Sequence, residues 1–219
     1  MSAGGLAVRG QTMTLSKTPT DPELLRLMIA GDEDAFTALY RRRQGGVYKF
    51  ALQMSGSQTV AEDVTQEVFM VLIREAERYD PSRASLAAYL YGIARNYVLR
   101  RFEQDRLLVP FTDSADDGDS FTHPAMIAED DPLGDLTRNE TIDTVRNSIL
   151  ALPPHYREVV VLCDLHEMSY VEAAAIIGCA VGTVRSRLHR ARALLVEKLR
   201  AGRDRNQNPE QVNPARCFA

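Results

Sequence analysis

The 219-residue chain has only three cysteines, Cys163, Cys179 and Cys217. So small and odd a set frames no disulfide scaffold, and it suits a reducing compartment. No run of about 18 apolar residues occurs, so no membrane-crossing helix is expected. The opening stretch, MSAGGLAVRGQTMTLSKTPT, lacks the continuous apolar segment of a secretory leader. The chain therefore reads as cytoplasmic. Alternating apolar and polar positions do not persist, so strands are hardly signalled. Glycine-rich phosphate loops, a Gly-x-Ser-x-Gly elbow and a convincing acid–base pair are missing too, which speaks against an enzyme. Cys163, His166, Cys179 and His189 lack the paired spacing of a zinc knuckle. His166-Glu167 is followed by Tyr170 rather than a second histidine, so the metalloprotease pattern fails. No metal and no cofactor are expected.

What is present is helical spacing over most of the length, with 45% apolar residues to build a core. The expected fold is all-α: two small helical domains joined by an acidic flexible linker, the C-terminal one a helix-turn-helix. Residues 1–21 read as a disordered tail and 22–105 as the N-terminal domain. Within residues 106–138 the stretch TDSADDGDSFTHPAMIAEDDPLGD carries many acids, two prolines and almost no base, a linker composition expected to let the two domains behave separately. Residues 139–200 form the second domain, and 201–219 a frayed tail.

Within the first domain, Gly31 stops one helix and Asp32 caps the next, EDAFTALYRRR, with GVYKFALQM as a separate short piece. Thr59 and Glu62 are spaced as a capping box, and Pro81 breaks the loop DPSRAS. In the second domain, Ile142, Val145, Ile149 and Leu152 give an apolar stripe. Pro153 and Pro154 open the following helix, and Ser169 with Glu172 makes another capping box.

The net charge is −4, yet GTVRSRLHRARALL, from Gly182, holds Arg185, Arg187, Arg190 and Arg192 within eight residues. Wound at ~100° per residue, Val184, Leu188, Ala191, Leu195 and Leu199 share one buried arc. Ser186 lies opposite, flanked by His189 and Arg190, with Thr183 and Arg187 at the margin. Arg185 and Arg192 border the apolar stripe, where stems pack and heads reach outward. A solvated arginine-rich surface is the plain alternative. The capped helix and tight turn before this stretch favour a helix-turn-helix that reads DNA.

The segment LPPHYREVVVLCDLHEMSYVEAAAIIGCAVGTVRSRLHRARALL resembles the DNA-binding region of extracytoplasmic-function sigma factors of bacterial RNA polymerase. AEDVTQEVF and YDPSRASLAAYLYGIARN resemble the N-terminal region of that family, in the family's order. The resemblance implies core RNA polymerase and promoter DNA as partners; members of the family are often held inactive by an anti-sigma factor as well. It places polymerase binding on Asp63, Gln66, Glu67 and Met70. It places −10 recognition and melting on Tyr79, Ser82, Arg83, Tyr89, Tyr91, Arg95 and Asn96. The −35 element falls to Thr183, Arg185, Ser186, Arg187, His189, Arg190 and Arg192.

The residue chemistry agrees with this division. Asp63, Gln66, Glu67, Met70, Ile73 and Arg74 form an arc of carboxylates and apolar tips, more like an interface than a solvated surface. On the helix after Ser85, Tyr91, Arg95 and Phe102 are expected to face out, where aromatics beside a cation can stack on unpaired bases. There are three departures: Tyr89 stands where the family usually has tryptophan, the family often has aspartate near Arg100, and the recognition helix lacks a Ser or Thr cap, a role left to Gly182. The rival reading is a stand-alone helix-turn-helix regulator with an N-terminal sensor or dimerisation domain.

Overall fold

The computed structural model describes residues 18–108 and 136–207, and all regular elements among them are helices. Most of the expected linker and tails lies outside the described residues. The first block holds α1 (Asp21–Ile29), α2 (Glu33–Ser55), α3 (Gln58–Glu75), a short 3₁₀ turn (Ala76–Arg78) and α4 (Leu86–Leu108). The second holds α5 (Leu136–Leu150), α6 (Pro154–Val160), a π-helical turn (Val161–Leu165), α7 (Tyr170–Ile177) and α8 (Val181–Gln207).

Local chemistry sets most of the boundaries. α1 ends before Gly31, which takes the left-handed φ of +94°. The Asp32 carboxylate then accepts the Ala35 N–H at 3.0 Å and starts α2. α2 runs without a break through Gly45 and Gly46, where the sequence suggested two pieces. Leu39, Val47, Phe50, Ala51 and Met54 stay buried along it, so packing carries the helix past its glycines. Gly46 also sits where a Cβ would come within 2.9 Å of the Tyr91 hydroxyl, which explains the missing side chain.

Two capping assignments are corrected. α3 starts two residues earlier than the Thr59–Glu62 box implied, with Ser57 as its cap, accepting the Val60 N–H. The cap position of α8 falls on Ala180, whose carbonyl accepts the Thr183 N–H at 2.9 Å; Gly182 lies inside the first turn. The Ser169–Glu172 box is formed as expected at the head of α7.

The first block packs α2, α3 and α4 around Leu39, Phe50, Met54, Val64, Val68, Leu72, Leu90 and Val98, each at most 2% exposed. The second block closes over Leu152, Leu162, Val184, Leu188 and Ala191. The α5 stripe divides: Ile149 and Leu152 are buried, while Ile142 and Val145 stay exposed.

The two blocks pack against each other along a seam. Leu150 of α5 abuts Gly56, the left-handed cap of α2 (φ +73°), where a Cβ would meet it at 3.0 Å. Arg157 reaches across from α6 and donates to the Met54 carbonyl at 2.6 Å, and also to the carbonyls of Leu150 and Leu152. It thereby satisfies carbonyls at the C-terminal ends of both α2 and α5. Burial pulls its pKa down to about 10, so it remains a cation at neutral pH.

Candidate functional site

Three surfaces carry the expected functional residues. The first is the outer face of α3. Val64, Val68 and Leu72 anchor the helix, and Asp63, Gln66, Glu67 and Met70 project into solvent on the other side. Met70 is 45% and Ile73 51% exposed, so two large apolar tips stand among carboxylates with no protein cover. Such a mixture fits a docking face rather than a merely solvated one. Asp63 is paired with Arg101 of α4 at 2.6 Å. An exposed pair of this kind is worth only about 0–1 kcal/mol, so a partner can readily compete for the carboxylate.

The second surface spans the loop before α4 and the helix itself. Asp80 accepts from the Ser82 N–H at 2.9 Å and from its hydroxyl at 2.7 Å, which folds the loop back on itself. Those bonds hold the Asp80 carboxyl below the usual range. The Tyr79 hydroxyl donates to the Ala84 carbonyl at 2.9 Å, and its ring lies 5.3 Å from that of Tyr89. Both phenols are half-buried, and burial raises both pKa values. Tyr89 thus keeps an aromatic wall beside the loop. Ser82 and Arg83 of the loop are exposed, as is Asn96 further along α4.

Tyr91 is different. It was expected to face out, yet it is only 9% exposed. Its ring stacks on Phe50 at 5.3 Å and meets the His166 ring edge-on at 4.9 Å. The reason is tertiary: α2 and the second block together cover this side of α4, which a helical wheel of α4 alone leaves open. Arg95 is half-buried for the same reason and pairs with Glu158 of α6 at 2.8 Å.

The third surface is α8. Val184, Leu188 and Ala191 are buried, with Leu195 and Leu199 half-buried behind them. Ser186, His189 and Arg190 are exposed on the far side, Arg185 and Arg192 are exposed at the borders, and Thr183 and Arg187 are half-buried. α7 ends at Gly178 in the left-handed conformation (φ +79°), and a short turn leads into α8. This is helix, tight turn and projecting helix. Arg185 lies over the Tyr170 ring at 5.9 Å, a cation–π contact that steadies its stem. Arg192 grips Asp164 through two nitrogens, at 2.6 and 3.1 Å. Arg187 points to Glu158 at 3.4 Å.

Sequence reasoning missed Arg157 and Glu158, and it considered His166 only as a metal ligand. His166 instead bridges the blocks, with Nδ1 3.0 Å from the Tyr91 hydroxyl and Nε2 2.8 Å from Gln53 Oε1. The one signal available was a charged pair, Arg157-Glu158, set directly before the apolar run Val159-Val160-Val161.

Family comparison matches residues 39–107 to the Sigma-70 region 2 model and residues 142–195 to the Sigma-70, region 4 model. The ECF RNA polymerase sigma factor SigW of Bacillus subtilis is 30% identical over 78% of this chain and 91% of its own length. The ECF RNA polymerase sigma-E factor of Escherichia coli is 31% identical over 84% and 97%. SigE of Mycolicibacterium smegmatis is 34% identical over 77% of this chain, which spans 64% of that relative. Among solved structures, CnrH in complex with the cytosolic domain of CnrY superposes with a TM-score of 0.61, at 26% identity, covering 83% of this chain and 97% of that one. The sigma factor RpoE in complex with the anti-sigma factor NepR, from Bartonella quintana, gives a TM-score of 0.56 at 27% identity, covering 75% and 96%. With both sigma regions matched in order and relatives of 30% identity or more along most of their length, the chain belongs to the extracytoplasmic-function sigma factors of the sigma-70 family, which direct RNA polymerase to promoters.

Proposed function

We propose that this chain binds core RNA polymerase through α3, melts the −10 element with the α4 loop and reads the −35 element with α8. It works in the cytoplasm and makes and breaks no covalent bond, and its similarity to the RpoE–NepR complex supports an anti-sigma factor as a further partner. The observation that carries this reading is a pairing of surfaces on one chain. Asp63, Gln66, Glu67 and Met70 stand exposed on one helix, and Ser186, His189 and Arg190 stand exposed on another.

The division of labour follows from chemistry. Carboxylates beside apolar tips suit a basic, partly apolar protein groove and would be repelled by DNA phosphates. Ser186, His189 and Arg190 can meet base edges in a major groove, and arginine can take guanine with two hydrogen bonds. The marginal arginines are placed to hold phosphates on either side. At the α4 loop, Tyr79 and Tyr89 supply stacking surfaces, with Arg83 in the loop and Asn96 further along α4 for the backbone of an opened strand. A folded loop of this kind can accept a base taken out of the stack.

Co-elution with core polymerase tests the reading. The wild-type chain should co-elute, and Glu67→Lys should weaken the complex at least tenfold, the scale of a lost interfacial charge contact of about 1.4 kcal/mol or more. Thermal unfolding of the variant should remain cooperative, because Glu67 touches no core residue. A stand-alone regulator would leave core polymerase unbound in both forms, and unchanged affinity of Glu67→Lys would remove α3 from the interface.

A further inference from the structure

We infer that Arg42 and Arg43 of α2, oriented by Asp21 of α1, form a seat for one backbone phosphate of the opened promoter strand, beside the α4 loop. The inference rests on the −10 reading of that loop and extends it to a helix with no DNA contact assigned to it.

Arg41, Arg42 and Arg43 follow one another on α2. Asp21, at the head of α1, is only 9% exposed and binds two of them. Its Oδ1 accepts from Arg42 Nη1 at 2.9 Å, and its Oδ2 accepts from Arg43 Nε at 2.6 Å and from Arg43 Nη2. Arg42 Nη1 also donates to the Pro19 carbonyl at 2.9 Å. One buried carboxylate thus orients two guanidinium groups without cancelling their joint charge. Both side chains remain about a third exposed, at 32% and 34%. Arg42 Nε and Nη2, and Arg43 Nη1, have no partner among the described residues. Arg41 beside them is exposed. Guanidinium forks held in place with N–H groups to spare suit the oxygens of a phosphate.

The pair borders a recess between α2 and α4. Ala87 and Tyr91 of α4 form part of its wall, and Gly46 adds no side chain to fill it. The cavity is about 40 Å³, roughly three times what one water needs. That admits the oxygens of a phosphate and excludes a base. Every lining residue belongs to α2 or α4, so the recess is complete within the first block. It also lies close to the loop. Ala87 is in the first turn of α4, and α1 packs on the 3₁₀ turn that leads into the loop. Burial raises the Tyr79 pKa, Asp21 adds to the rise and Arg43 opposes it, so both charges are within electrostatic reach of that phenol. A strand with a base stacked on Tyr79 therefore carries its neighbouring phosphates past the pair.

The test is fluorescence anisotropy with the full chain and a short labelled single DNA strand of mixed sequence, at several salt concentrations. One phosphate contact on a single strand contributes about 0.7 to the salt slope, or about fivefold in affinity near 0.1 M salt. Arg43→Gln should weaken binding about fivefold and flatten the slope by about 0.7. Arg43→Lys should restore most of that slope. Asp21→Asn should act the other way, tightening binding and steepening the slope, because it removes the carboxylate that opposes the pair. Glu62→Gln, an equal change of charge on α3, should alter both by less. Thermal unfolding of each variant is followed alongside.

A pair that merely ties α1 to α2 predicts that Arg43→Gln and Asp21→Asn fail in the same direction. Loss of binding in both would overturn the seat. So would an unchanged slope in Arg43→Gln, or a gain from Glu62→Gln as large as that from Asp21→Asn. Inorganic phosphate that displaces the strand at equal concentration would overturn it too, by marking a site for the free ion. If Asp21→Asn does not fold, equal binding by Arg43→Gln and Arg43→Lys is the overturning result. Arg83→Ala separates the seat from the loop. If it weakens binding while the Arg43 and Asp21 variants match wild type, the −10 reading stands and the seat falls. If Arg43→Gln weakens binding while Arg83→Ala does not, the seat stands and the loop loses its strand contact. A wild-type chain that binds no single strand removes both.

Discussion

Arg190 and Arg192 stand two positions apart on α8 and differ in their company. Arg190 is exposed on the far side from Val184, Leu188 and Ala191, whereas Arg192 is braced by two contacts to Asp164. The two should fail differently. Arg190→Ala should cost about 1–3 kcal/mol on the preferred −35 sequence and relax selectivity there. Arg192→Ala should weaken binding to all duplexes alike and flatten the salt dependence by about one unit of slope. Titrations on matched and scrambled duplexes at several salt concentrations separate them, and an equal loss on both duplexes for Arg190→Ala would mean that α8 is turned the other way. Residues on α8 and α3 were legible from spacing alone, because each buried arc is continuous and packs within its own block. Tyr91 was not legible, because its burial comes from Phe50 of α2 together with His166, 75 residues away in sequence.

The element that decides how the blocks meet is the π-helical turn Val161–Leu165. Its extra residue per turn and the following chain reversal, with Glu167 in the left-handed region (φ 54°), swing His166 towards the first block. The His166 N–H bonds back to the Val161 carbonyl at 3.1 Å, which fixes the backbone there. Burial, with Lys49 nearby, pushes the His166 pKa down to about 4. The folded value lies below the unfolded one of about 6.5, so the unfolded chain takes up the proton first. The stability His166 contributes is therefore whole above about pH 6.5 and is lost as pH falls from there towards about 4. Thermal unfolding followed from pH 7 to pH 4 should show this loss, and His166→Gln should remove that part of the slope; an identical pH profile in the variant would contradict it. Caps were legible where side chain and spacing agree, as at Asp32 and Ser169. They were misread where two candidates competed: Ser57 lies just ahead of Thr59 and takes the cap, its hydroxyl accepting the Val60 N–H. The π turn left no mark in the pattern of apolar residues.

At the scale of the whole molecule, two helical blocks each bury a core, and a polar seam joins them. The blocks themselves were legible, since the apolar stripes and stop signals are local. The seam was not. Its links join residues 63 to 113 positions apart, such as Arg95 with Glu158 and Gln53 with His166, and no local pattern encodes such pairings. The central claim concerns what the two blocks do jointly, and it can be read in one assay. Core RNA polymerase, this chain and a library of randomised promoter fragments are incubated with nucleotides, and the transcribed fragments are sequenced. The account predicts transcripts whose templates share two short motifs at one fixed spacing upstream of the start, with the upstream motif relaxed by Arg190→Ala. Transcription no greater than with core polymerase alone, or templates enriched for no motif, would contradict it.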